Sequence, residues 1–103
     1  MSWLGDLLKA GISSNGRDVT ISKGVLQLKG RVYTPGTTSV RVLATDRDDK
    51  VLLATGTTVP SDAEAGYAKG CLFIDTDVAD GTSGLYVNVG TTASANFDLV
   101  SDA

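Results

Sequence analysis

The strongest constraint on the fold lies between Gly70 and Val100, where GCLFIDTDVADGTSGLYVNVGTTASANFDLV alternates with period two and breaks at Gly- and Asp-rich points. Cys71, Phe73 and Asp75 fall on one side of a first strand, and Leu72, Ile74 and Thr76 on the other. In a second strand Leu85, Val87 and Val89 oppose Tyr86 and Asn88, and a third, from Ala95 to Val100, sets Phe97 and Leu99 on one side. Successive side chains of a strand leave opposite faces, so this pattern predicts a hairpin or meander.

The rest of the chain agrees with that bias. Twelve Thr and eleven Val stand against one Glu and one Met, and branching at Cβ suits a pleated surface better than a helix. Twelve Gly supply the tight turns that short strands require. A chain of 103 residues that is 42% hydrophobic is long enough for one core and too apolar for disorder. The expected fold class is mainly β: a small antiparallel β-sandwich or barrel-like domain of about seven short strands, spanning 17–103, preceded by a short N-terminal helix or arm over 1–12.

Ser2 to Ala10 (SWLGDLLKA) is the one segment with helical spacing. Ser2 suits the cap, Asp6 the early turns and Gly11 the stop, and Trp3/Leu7 and Leu4/Leu8 each fall four apart. About nine residues are too few for a helix stable alone in water, so the segment must dock. It either covers an open end of its own domain or packs on a neighbouring subunit or partner. Beyond the joint at Ile12–Gly16, Val19–Ile21 and Val25–Lys29 read as strands turned at Lys23-Gly24, with Arg31–Thr34 continuing past Gly30. Pro35-Gly36 suits the centre of a type II turn. Val40, Val42 and Ala44 share a face, and the acidic loop Asp46–Lys50 joins their strand to Val51–Thr58 as a hairpin. Val59–Lys69 reads as a connector in which Ser61 or Asp62 caps a single helical turn ended by Gly66.

Chemistry is scarce. There is no histidine, which removes the usual general base, the usual neutral metal ligand and any Ser-His-Asp or Cys-His arrangement. No SxxK or GxSxG nucleophile motif occurs, and the glycines follow no phosphate-binding spacing. Asp46, Asp48 and Asp49 read as a solvated turn. Asp75, Asp77 and Asp80 resemble a calcium loop only superficially: the third acid falls one position late, and Tyr86 or Val87 stands where a bidentate Glu is required. Neither an enzyme nor a cofactor or metal site is expected. The lone Cys71 reads as a small core hydrophobe. A net charge of −3 with scattered basic residues argues against nucleic acid, and no apolar run is long enough for a membrane span or a signal peptide. The chain is thus expected to be made in a cytoplasm without a secretory signal. Tyr67 and Tyr86 are candidate interface aromatics, because tyrosine is favoured at interfaces.

Several short runs recur together between Ala54 and Val100: Ala65-Gly66-Tyr67, Gly70-Cys71-Leu72-Phe73, Thr76-Asp77, Leu85-Tyr86-Val87-Asn88-Val89-Gly90-Thr91 and a final Phe97. This segment resembles small structural proteins of tailed bacteriophages, of the head-decoration or head-fibre type. It is also similar to fibre modules in which Trp is frequent where Phe73 and Phe97 stand here. The resemblance implies a non-enzymatic virion protein, made in the host cytoplasm, that binds the major capsid protein on the capsid exterior as a homo-oligomer, with a trimer favoured. The alternative it implies is a head-fibre or receptor module that binds glycans. Trp3, Leu4, Leu7 and Leu8 are the candidate contact to the shell or to a neighbouring subunit.

Overall fold

The computed structural model describes residues 12–14 and 19–100. Its eight strands are β1 (Ile12–Ser14), β2 (Val19–Ile21), β3 (Arg31–Tyr33), β4 (Val40–Thr45), β5 (Val51–Gly56), β6 (Tyr67–Asp75), β7 (Leu85–Asn88) and β8 (Phe97–Leu99), and no helix occurs among the described residues. β1 and β2 form an antiparallel ribbon with Ile12 opposite Ile21. The other six make one sheet in the order β3-β4-β5-β6-β7-β8. The mainly β class holds. The helix expected over residues 2–10 lies outside the described residues.

The meander forms as its alternation predicts. Leu72, Phe73 and Ile74 of β6 face Val87, Tyr86 and Leu85 of β7, and Tyr86 and Asn88 face Leu99 and Phe97 of β8. The expected β4–β5 hairpin also forms. Its loop is organised by Asp46, whose carboxylate accepts the N–H groups of Asp48 and Lys50 at 2.8 and 2.9 Å.

One pairing departs from an all-antiparallel sheet: β5 and β6 run parallel. Residues 57–66 therefore cannot close a hairpin and must cross a face of the sheet. Val59 packs on the core, and Pro60 and Glu64 are buried. The crossing is laced to the loop before β8, with Ala63 N–H donating to Ala95 O and Ala95 N–H to Glu64 O, each at 2.8 Å, and Gly66 N–H to Thr92 O at 3.0 Å. These two loops cover the core where a sandwich would place a second sheet. Strands β3 to β8 make one open, mixed sheet with β3 and β8 as its edges, and neither a sandwich nor a closed barrel is seen among the described strands.

Local expectations fail in five places, the first being that Ile12–Ser14 of the expected joint forms β1. Val25–Lys29 forms no strand: β2 pairs with β1 instead, and residues 22–30 are exposed throughout. Pro35-Gly36 does not form a type II turn, because Gly36 lacks the positive φ that turn demands. Residues 61–66 make turns without a helix, and Ala63 takes φ 71°. β6 begins at Tyr67, three residues ahead of the expected strand, and a bulge carries it from Tyr67 to Leu72 while β5 advances only from Val51 to Leu53. Gly70, at φ 83°, permits that bulge.

The core gathers Val40, Val42, Val51, Ala54, Tyr67, Cys71, Phe73, Ala95 and Phe97. The Phe97 ring meets Tyr67 edge-on at 5.1 Å and Phe73 at 6.1 Å between centroids. Such aromatic pairs add about 0.5–1.5 kcal/mol each beyond the area they bury. The Tyr67 hydroxyl is the exception to good internal pairing, since it is buried and makes no hydrogen bond among the described residues. Burial, reinforced by the nearby Glu64, pushes its pKa upward, so it stays protonated. A buried hydroxyl without a partner is a net cost. Tyr67→Phe should therefore leave stability unchanged or raise it by up to about 1 kcal/mol in urea unfolding. A loss above that would mean the hydroxyl has a partner.

Candidate interaction surface

The two faces of the sheet differ in what covers them. Strand register places Val42, Ala54, Phe73 and Tyr86 in one transverse row on the inner face, beneath the loops. On the outer face Leu53, Leu72 and Val87 form one row, ending at Asp98, and Thr55, Ile74 and Leu85 form the next, flanked by Arg41 and Val32. Leu72 and Ile74 are 40% and 41% exposed, and Leu53, Leu85 and Val87 are half-buried. No described element packs over them. The centre of this face is apolar, with Asp98, Arg41 and Thr55 among its neighbours, a composition that suits a protein-binding patch.

The cause is legible in β6. Its CLFI run is apolar on both sides, so Cys71 and Phe73 enter the core while Leu72 and Ile74 emerge opposite. Antiparallel sheets with one wet face alternate apolar with polar, whereas strands apolar on both faces are normally covered on both. Residues 25–30 add a second exposed apolar stretch, with Val25 91%, Leu26 61% and Leu28 49% exposed. It touches the sheet through Arg41, whose guanidinium donates to Lys29 O at 2.9 Å.

The expected interface aromatics separate. Tyr67 is wholly buried and presents nothing to a partner, because the bulge turns it onto Phe97. Tyr86 is half-buried on the inner face against the core. Tyr33, also half-buried, lies under the Arg31 guanidinium at 4.9 Å. Trp3, Leu4, Leu7 and Leu8 fall outside the described residues.

Several titratable groups have structural roles. Asp75 accepts the N–H of Asp77 at 2.9 Å, a turn bonding its own backbone, and no group of three metal-ligating side chains occurs among the described residues. Burial pushes the Cys71 thiol up to about 12, which withholds the nucleophilic thiolate at neutral pH. Glu64, the only glutamate, is 6% exposed and accepts four hydrogen bonds: from Thr37 N–H (2.7 Å) and Thr38 N–H (3.0 Å) at Oε1, and from the Thr38 hydroxyl (2.6 Å) and Ser61 N–H (2.7 Å) at Oε2. Asn88, 1% exposed, donates to Ala68 O at 3.0 Å and accepts from Gly90 and Asn96 N–H, each at 2.9 Å. Sequence reasoning missed both residues as internal ties. It registered the apolar outer face only as alternation.

A shallow depression of about 350 Å³ beside β4 is lined by Gly30, Arg31, Val42, Leu43, Ala44 and Thr45, of which only Arg31 is ionisable. No described helix is long and apolar enough to cross a membrane. Among the described residues, exposed apolar side chains gather on the outer sheet face and over residues 25–28. Comparison with protein-family models, with curated proteins and with solved structures found no match.

Proposed function

We propose that this chain is a non-enzymatic structural protein of a tailed-phage virion, one that decorates and stabilises the capsid exterior as a homo-oligomer, with a trimer favoured. The observation that supports the reading is the apolar outer face at Leu53, Leu72, Ile74, Leu85 and Val87, which no described element covers. Such a protein works by surface complementarity, and many weak contacts across a repetitive shell add up by avidity. The resemblance of Ala54–Val100 to head-decoration proteins points the same way. A glycan-binding fibre module would need exposed aromatic rings for sugar stacking, and the aromatic rings among the described residues are buried or half-buried.

The test is occupancy on particles. Full-length protein mixed with expanded heads of the phage that encodes it should bind at a fixed copy number relative to the capsid protein, read by particle mass. A chain lacking residues 1–11 should keep its β-type circular dichroism and lose that occupancy. Full occupancy by the truncated chain would refute the assigned contact at Trp3, Leu4, Leu7 and Leu8. Absence of the protein from purified virions, or specific binding on a glycan array, would refute the decoration reading itself.

A further inference from the structure

We infer that the outer sheet face of one copy packs against the same face of a second copy, about a two-fold axis that runs along β6 over Leu72 and Ile74. The inference goes beyond the reading above: it needs no capsid, and a threefold contact through other surfaces can coexist with it.

Strand direction gives the reason this face needs cover. β5 and β6 run parallel, and each carries an apolar run, VLLA at residues 51–54 and CLFI at residues 71–74. Parallel strands that are apolar on both sides are normally covered on both. The crossing at residues 57–66 lies over the inner side, and no described element lies over the outer one. The apolar surface also extends past its centre. Val32 stands beside Arg41, Val89 continues the outward side of β7, and Val100 donates its N–H to Leu85 O at 2.8 Å; all three are exposed. Six strands about 4.8 Å apart and three side-chain rows about 7 Å apart make a face of about 500 Å² in plan. Two such faces bury about 1,000 Å² together, the least that a specific interface needs, so a pair has to align nearly the whole face.

Charge selects a second copy and the axis that relates it. Packed sheets keep their strand directions within about 30° of each other, so a two-fold axis between two such faces runs either close to β6 or across it. Arg41 on β4 and Asp98 on β8 stand on opposite sides of β6, each two strands away. An axis across the strands lays β4 on the partner's β4 and β8 on the partner's β8, which sets like charges together. An axis along β6 lays β4 on the partner's β8. Each Arg41 then comes within about one side-chain row, about 7 Å along the strands, of the partner's Asp98. Arg41 gives one N–H to Lys29 O, and a guanidinium carries five. The face is thus complementary to itself in charge as well as apolar at its centre.

Native mass of the full chain should show an even number of copies: two or, where a threefold contact also forms, six. Leu72→Lys with Ile74→Lys, at positions already two-fifths exposed, should weaken pairing at least about tenfold, with the β-type circular dichroism kept. Leu72→Ser with Ile74→Ser should weaken it by less, which separates loss of contact from loss of fold. Arg41→Asp and Asp98→Arg each set like charges together, so each alone should pair several-fold less tightly at low salt. Mixed in equal amounts, these two variants should form a mixed pair as tight as wild type, because both contacts again join unlike charges. A purely structural role for either residue would not produce that rescue. An odd number of copies, pairing indifferent to the changes at Leu72 and Ile74, or charge variants that fail to rescue each other would overturn the inference. A monomer at every concentration would overturn it too, and would assign the cover to another part of the chain or to a different molecule. Capsid occupancy is measured separately, so failure of the virion reading is distinguishable from failure of this one.

Discussion

Replacing Glu64 with alanine should cost about 3–4 kcal/mol, a large share of the stability of a domain this size. The carboxylate ties the loop after β3 to the β5–β6 crossing through four hydrogen bonds, three of them from backbone N–H groups that have this oxygen pair as their partner. Truncation strips those donors of their acceptor at a part-buried site, where each orphaned donor costs up to about 1 kcal/mol. Glu64→Gln keeps the shape but turns an NH₂ toward N–H donors, so it should lose about 2 kcal/mol. Gly36 belongs to the same device. A Cβ there would meet the Cβ and Cγ of Glu64 at 2.7 and 2.9 Å, so this glycine is needed for space rather than for its φ. Urea unfolding followed by circular dichroism measures the loss, and a cost below about 1 kcal/mol for Glu64→Ala would show that the crossing is held by other contacts.

The same carboxylate predicts how stability depends on pH. Burial alone would raise its pKa, but the hydrogen bonds from the Thr38 hydroxyl and from the Thr38, Thr37 and Ser61 N–H groups outweigh burial and hold it below the usual 4.5. A group whose pKa falls on folding contributes stability that is fully present above its unfolded pKa and is lost as pH drops through the folded one. The wild-type protein should therefore weaken as pH falls below about 4.5, and in Glu64→Gln this part of the acid slope should vanish.

The places where sequence and structure agree share one physical property: their determinants are local. The period-two pattern from Cys71 to Leu99 fixes which side chains of each strand share a face, and Phe73, Asn88 and Phe97 lie on the buried one. Turn residues likewise bond their own backbone at Asp46 and Asp75. What failed depends on partners far along the chain. Val25–Lys29 alternates as well as any strand but has no strand beside it. The run VPSDAEAGYAK contains nothing that distinguishes a reversal from a crossing, and Glu64 looks like an ordinary surface acid until Thr37 and Thr38, 27 and 26 residues earlier, are brought over it. The burial of Tyr67 has a related cause, since the bulge at Gly70 that turns it inward arises from pairing with β5. The outer face stood in between. Its apolar residues are plain in the sequence, but only the open sheet shows that no described element covers them.

Asn88 should be the second most sensitive position, and its aspartate variant should invert the ordinary acid response. Its amide joins three segments at the end of β7: the NH₂ donates to Ala68 O in β6, and the oxygen accepts from Gly90 and Asn96 N–H in the loop before β8. Asn88→Leu should cost about 3 kcal/mol, because two donors and one acceptor lose their partner while the added carbons enter a space already filled by an amide. Asn88→Asp preserves shape and both accepted bonds. At neutral pH, however, it buries a negative charge and sets a carboxylate oxygen against the Ala68 carbonyl oxygen, which then has no donor. Both effects disfavour the ionised form, so the introduced carboxyl should have its pKa raised on folding. Relative to wild type, the variant should then be weakest at pH 7 and recover as pH falls through the carboxylate range, where the protonated group again donates to Ala68 O. The measurement is the stability difference between variant and wild type at each pH, which removes the acid loss due to Glu64 from both. A difference independent of pH would mean that the amide donor to Ala68 contributes nothing, and that Asn88 holds β7 only through the two N–H groups it accepts.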